Sequence, residues 1–282
     1  MHWKKSSQDK PPTPQKTHNP AAMFNDIAPH YDFLNHFFSL NTDRRWRKKL
    51  ACRIAQQHPA TILDVATGTG DLAIALLRET HAAVTAVDIS EGMLAIAKRK
   101  TIHGERRFAT CDLRYATGDG RPEAVASRVS HIACRRSPVA CRLSPAIKWL
   151  QAPAEALPFP DHAFAAVTVA FGVRNFENLA GGLREMYRVL QPGGTVAILE
   201  FTTPARFPVK QLYRFYFHSV MPLTGRLFSG HRTAYRYLPA SVSRFPQRDE
   251  FLQLLQQAGF KHTRCQSLSC GIAALYTGES QG

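Results

Sequence analysis

Two carboxylates and two glycines in the first third of the chain have the spacing of a nucleotide-like binding site. Asp64 stands four residues before Gly68 in TILDVATGTGD, Gly70 follows, and Asp88 lies 20 residues beyond Gly68. Glycines let a ligand rest against bare backbone at a helix N-terminus. An acid about 20 residues further on can accept both hydroxyls of a ribose. Gly68-x-Gly70-x-x-Ala73 also satisfies the relaxed dinucleotide fingerprint, which tolerates Ala at its last position. Asp64 favours a different ligand, because a carboxylate there repels a pyrophosphate and attracts the ammonium group of S-adenosylmethionine. An adenosine moiety is expected from Asp88, and both cofactors stay open, beside the plain alternative of a strand–turn–helix joint that binds nothing.

A second group lies after an almost wholly apolar run over 163–171, which leads directly into Gly172-Val173-Arg174-Asn175. Such a run reads as a central strand of a parallel sheet. A cation and an amide at its C-terminal end face the crevice where open α/β sheets bind ligands. Further upstream, Tyr31 and Asn35 sit one helical turn apart among Phe24, Ile27, Leu34, Phe37 and Phe38. Packing explains most of those aromatics and explains this polar pair least.

The elements that would hold these residues follow from periodicity. Residues 1–20 are polar, Lys- and Pro-rich and read as a disordered basic tail, and 21–282 as a single α/β domain. Residues 23–57 have helical spacing and would form a lid over the site. Strands are expected at 61–65, 83–88, 147–152, 163–171 and 195–201, the second with Asp88 at its tip. Helices are expected over 90–100, with Ser90 as N-cap, and over 179–190, ended by Gln191-Pro192-Gly193-Gly194. A final helix over 248–258 and an antiparallel hairpin near 260–266 and 271–277 complete the sheet. Residues 101–146 keep no period, are rich in Arg, Ala and Ser, and read as a disordered insertion.

The 282 residues carry a net charge of +15 and are 44% hydrophobic, enough for a substantial core. The basic residues concentrate in 1–20, 101–148 and 201–282, while 149–200 is slightly acidic. That distribution suits an anionic membrane surface or nucleic acid, and a solvated basic face is the bland alternative. Six cysteines form no C-x-x-C pair, which fits a reducing compartment, and the 12 histidines are scattered, so no metal site is expected. The start of the chain has no apolar core of a secretory signal, and no run reaches the roughly 18–20 residues of a membrane span. Any membrane contact is then peripheral. The segment VKQLYRFYFHSVMPLTGRLF mixes aromatics with basic residues, as would suit a lipophilic pocket beside lipid headgroups.

Eight blocks in order, MFNDIAPHYDFLN, ILDVATGTGDLA, VDISEGML, AEALPFPD, FGVRNFEN, RVLQPGG, LEFTTP and AYRYLPASVSRFPQRDEF, resemble the ubiquinone/menaquinone biosynthesis C-methyltransferases. The likeness covers most of residues 23–278. It implies a Rossmann-like class I methyltransferase fold with a seven-stranded, mostly parallel sheet and a C-terminal antiparallel hairpin. It also implies S-adenosyl-L-methionine as cofactor and methylation of a prenylated quinol ring, demethylmenaquinol above all and also the ubiquinone precursor. The cytoplasmic enzyme would lie on the inner face of the membrane, with no nucleic-acid partner; a homodimer stays open. Cofactor contacts are implied at Thr69, Asp88 and the pair before Glu155. That pair is Pro153-Ala154 where the family usually has Asp-Ala or Asn-Ala, so weaker cofactor binding is expected. Arg174, Asn175 and Tyr31 are implied as the polar network around the ring. Two other readings compete: a class I methyltransferase acting on another acceptor, RNA included, and a cofactor-binding module with impaired catalysis.

Overall fold

The computed structural model describes residues 39, 41–102, 147–204, 207–215 and 241–282. The tail at 1–20, about half of the lid, including Tyr31 and Asn35, nearly all of the 101–146 segment and much of the aromatic, basic stretch after Phe215 lie outside the described residues.

The first described helix, α1 (Thr42–Ala55), buries Asp43, Trp46, Arg47, Leu50, Ala51 and Ile54, one face at three- and four-residue spacing. Two of those six are charged and pair with each other one turn apart. Next come β1 (Thr61–Val65), α2 (Asp71–Thr80), β2 (Ala83–Asp88) and a helix over 91–102, α3. Beyond the gap lie β3 (Lys148–Gln151), β4 (Phe164–Ala170), a 3₁₀ turn at Val173–Asn175, α4 (Leu179–Arg188) and β5 (Leu190–Phe201). The order closes with α5 (Val209–Phe215), α6 (Asp249–Gln257), β6 (Lys261–Leu268) and β7 (Ala273–Glu279).

The strands among the described residues form one seven-stranded sheet in the order β3-β2-β1-β4-β5-β7-β6, with β7 antiparallel to both neighbours and the other pairs parallel. This is the expected fold class. Each face of the sheet buries its own apolar cluster, which is why β1 and β4 read as continuous apolar runs. Ile62 joins the cluster that contains Trp46, Leu50 and Leu76, while Leu63 and Val65 join Leu183, Met186 and Phe251 on the other face. That alternation is the two-residue period of a strand.

One expected boundary is corrected. The helix over 179–190 stops at Arg188, and the strand expected at 195 begins at Leu190. Gln191-Pro192-Gly193-Gly194 is an irregularity inside β5: Leu190 pairs with Phe164 and Thr195 with Ala166, so β5 loops out while β4 advances two residues. The left-handed backbone of Gly193 (φ 73°) makes this detour. Ser280 secures it, its N–H donating to the Gly194 carbonyl at 2.9 Å and its hydroxyl donating to Gln191.

Candidate cofactor and active site

Strand order reverses direction between β1 and β4, and in open α/β sheets the crevice beyond that switch point is the binding site. Both strand tips bend there through non-glycine residues with left-handed backbone, Ala66 (φ 52°) and Phe171 (φ 58°). Such conformations cost on the order of 1–3 kcal/mol and collect at functional sites. The tips also nearly touch, since a Cβ on Gly172 would come within 2.6 Å of the Ala66 Cβ.

A cavity of about 140 Å³ opens here, with Asp88, Pro153, Ala154 and Asn175 in its wall. Ile89, Met93, Phe171 and Phe176 supply its apolar surface. The Asp88 carboxylate is set by backbone: Gly68 N–H donates to Oδ2 at 2.7 Å and Ser90 N–H to Oδ1 at 2.8 Å. Burial raises its pKa above the ordinary aspartate value, and those N–H groups work against the rise. Glu155 closes one side by accepting the Glu177 N–H at 2.9 Å.

Ala66 and Gly68 also line a second, smaller cavity that contains Arg47, Asp64, Thr67, Thr69 and Asp71. Asp64 is fully buried and accepts hydroxyl hydrogen bonds from Thr67 at 2.6 Å and Thr168 at 2.8 Å. Burial nevertheless pushes its pKa up to about 7, with Asp88 adding to the rise and Arg47 opposing it. Thr69 lines this cavity, and its hydroxyl accepts from the Lys100 ammonium at 2.9 Å, which also reaches Asp71 at 2.7 Å.

Gly68 and Gly70 have different roles. Gly68 (φ 57°) borders both cavities. Gly70 lines neither; a Cβ there would meet Trp149 at 2.6 Å and Ala97 at 2.9 Å, so its smallness lets the turn pack under β3 and α3.

The 3₁₀ turn after β4 sends its two polar residues apart. Asn175 lines the larger cavity. Arg174 is buried and pairs with Glu200 of β5 at 2.7 Å, with side-chain exposures of 4% and 0%. Its guanidinium also donates to the Phe171 carbonyl and lies over the Phe201 ring, 5.6 Å from the centroid. The Arg174 charge reaches the half-buried Tyr213 phenol of α5, whose pKa burial raises well above the tyrosine range. Phe171 and Phe201 stack at 4.4 Å, so Arg47, which lies 5.2 Å from the Phe171 centroid, and Arg174 belong to one cation–aromatic assembly.

The donor set fits an adenosyl amino acid. Apolar walls suit the purine, the buried carboxylate at the tip of β2 suits the ribose diol, and Asp64 suits an ammonium. A family model described as the ubiE/COQ5 methyltransferase family matches residues 13–124 and 133–280. The chain belongs to the ubiE/COQ5 methyltransferase family.

Other members are similar along nearly their whole length. The ubiquinone/menaquinone biosynthesis C-methyltransferase UbiE of Geobacter sulfurreducens is 43% identical over 91% of this chain and 86% of its own. A demethylmenaquinone methyltransferase of Porphyromonas gingivalis is 42% identical over 91% of each chain. The crystal structure of a SAM-dependent methyltransferase from Thermotoga maritima has a TM-score of 0.53 at 16% identity, covering 92% of this chain and 99% of its own. The [4+2]-cyclase SpnF reaches 0.57 at 15% identity, covering 93% and 95%. These two share the fold, one with a methyltransferase and one with a cyclase. The chain is thus a class I methyltransferase with S-adenosyl-L-methionine as cofactor.

Of the ten site residues expected from sequence, Asp64, Gly68, Thr69, Asp88, Pro153, Ala154 and Asn175 line these two neighbouring cavities. Gly70 and Arg174 stand behind the walls, and Tyr31 lies outside the described residues. Sequence reasoning missed Glu200 and Arg47. Glu200 stands in the apolar run AILEF, where a lone carboxylate signals a buried partner. Arg47 was recoverable from the phase of α1, one residue after Trp46 on the buried face.

Proposed function

We propose that this enzyme methylates a ring carbon of a prenylated quinol, demethylmenaquinol above all. The observation that carries the reading is the 42% identity, over nine-tenths of both chains, to an enzyme named demethylmenaquinone methyltransferase. The bound cofactor supplies an electrophilic methyl group on a sulfonium. The rest of the task falls to the protein: to hold an electron-rich ring carbon in line with that methyl, raise its electron density, and let the ring proton depart.

Proximity and alignment account for much of such a barrier, and the pinched tips of β1 and β4 give the crevice a rigid floor. Density on the ring carbon rises when a phenolic oxygen carries negative charge. Arg174, held behind the cavity wall by Glu200 and the Phe201 ring, favours such a phenolate through its field and not by contact. Arginine stays charged and is no base, so the ring proton leaves to water, which Asn175 in the cavity wall is suited to orient. The acceptor reaches the site from the membrane, where the basic, aromatic C-terminal third meets anionic headgroups. Among the described residues no helix is long and apolar enough to cross a membrane.

The test is a methyl-transfer assay with radiolabelled cofactor, comparing demethylmenaquinol with the demethylated ubiquinol precursor. Label in the menaquinol product is expected. Cofactor binding without transfer to either quinol would overturn the proposal.

A further inference from the structure

The outward half of α1 carries charge for which the helix itself gives no reason. Arg44, Arg45, Lys48, Lys49 and Arg53 are all exposed, and they share one face over about 14 Å of helix. Asp43, the single acid of α1, is buried and paired with Arg47 on the opposite face. Arg44–Lys48, Arg45–Lys49 and Lys49–Arg53 stand four residues apart, where like charges destabilise a helix. Arg44 and Arg45 also occupy the first turn, the end at which the helix dipole opposes positive charge. Among the described residues, the acid in ion-pair contact with this face is Glu79 of α2, at its edge, 3.8 Å from Lys48. A solvated helix face is ordinarily laced with both signs. An anionic surface outside α1 would offset this repulsion with attraction. The buried side of the same helix meets the crevice. Trp46 packs on Phe171 and Phe201, with ring centroids 6.2 and 6.1 Å away, and its indole N–H donates to Ser269 at 2.9 Å. One helix width, about 10–12 Å, therefore separates the cations from the tips of β4 and β5.

We propose that this face of α1 docks on anionic phospholipid headgroups and sets the crevice beside the bilayer that holds the acceptor. The exposed arc from Arg44 to Gln56 presents no aromatic side chain on which a base could stack, which favours a lipid surface over single-stranded nucleic acid. The place of the acceptor rests on the quinol reading; the docking of α1 does not.

Two variants of the full chain that lose the same four charges separate this face from net charge. One carries Arg44→Gln, Arg45→Gln, Lys49→Gln and Arg53→Gln. The other carries Lys148→Gln, Arg184→Gln, Lys261→Gln and Arg264→Gln, all exposed, on β3, α4 and β6. A basic residue near an anionic surface is worth about fivefold, and the edges of the arc stand off a flat bilayer. Sedimentation with phosphatidylglycerol vesicles should therefore weaken by about 10- to 100-fold in the first variant and by no more than about threefold in the second. Removing like charges should leave the melting temperature of the first unchanged or raised, which separates lost docking from a lost fold. Arg45→Glu with Lys49→Glu, at the centre of the arc, should abolish sedimentation at the same salt. The first variant should still turn over detergent-solubilised acceptor at the unaltered rate, while turnover of vesicle-embedded acceptor falls in parallel with binding. Equal weakening in the two four-charge variants would overturn the proposal. So would a preference of the unaltered protein for RNA over the vesicles at equal salt. Sedimentation is read without any acceptor, so failure to methylate either quinol would count against the quinol reading alone.

Discussion

Burial pushes the Asp64 pKa up to about 7, against an ordinary 3.8. The sign of the consequence follows from that rise. The protonated carboxyl stabilises the unliganded fold fully below about pH 4, and this contribution is lost as the pH climbs through 7. An ammonium ligand requires the carboxylate, which Arg47 favours and Asp88 opposes. Cofactor affinity should therefore climb between pH 5.5 and 7, by up to about tenfold per unit, and level off above. Calorimetric titration across that range checks it, with Asp64→Asn expected to bind weakly and without the slope. A flat profile for the unaltered protein would count against a carboxylate–ammonium contact. Pro153 offers the opposite kind of change. It lines the adenosyl cavity with neither an N–H nor a side-chain acceptor. Pro153→Asp should tighten the cofactor by about 2- to 10-fold, the value of one net hydrogen bond; an unchanged dissociation constant would sink the idea.

At the scale of elements, the site depends on joints between neighbours. The turn after β1 passes beneath Trp149 of β3 and Ala97 of α3 with room for hydrogen only, at a residue with φ 83°. Gly70→Ala combines a left-handed backbone with an overpacked contact, and about 2–4 kcal/mol should be lost in urea denaturation. A second change, Trp149→Leu, should return part of that loss; no recovery would show that backbone strain alone is responsible. The joint between β4 and β5 is electrostatic. Glu200→Ala leaves the buried Arg174 charge without its carboxylate and should cost about 3–5 kcal/mol. The paired change Arg174→Met with Glu200→Leu should recover most of the stability and none of the turnover, since apolar pairs often replace buried ion pairs at little cost. Recovery of turnover in that double variant would remove Arg174 from the chemistry.

For the whole molecule, a net charge of +15 gives a direct expectation. The protein should sediment with vesicles rich in anionic phosphatidylglycerol, less with neutral phosphatidylcholine, and release as salt is raised. Equal binding to both vesicle types would point to apolar insertion without steering by charge. The main lines of this molecule were readable in the residues because β1 and β2 announce themselves twice, by apolar residues and by the carboxylates at or next to their ends. Pro192-Gly193-Gly194 misled because it has the composition of a turn, whereas the contact that keeps β5 in the sheet there comes from Ser280, far along the chain. Glu200 and Arg174 each look like an isolated polar residue until the parallel pairing of β4 and β5 sets them side by side. The two glycines of the turn are alike in sequence, and only their neighbours in space separate one that borders ligand space from one that makes room for Trp149.

The reversed strand sets a constraint on synthesis. β7 is last in chain order but lies inside the sheet, pairing Thr195–Phe201 of β5 on one side and β6 on the other. While residues 202–272 are still being added, every strand that forms the crevice has already been synthesised, yet β5 lacks its β7 partner along one edge of backbone donors and acceptors. β6 does not cover that edge in this topology, because β7 separates the two. The nascent chain must hold an open, aggregation-prone border until its final strand slots between two others, so the catalytic half is assembled early and protected late.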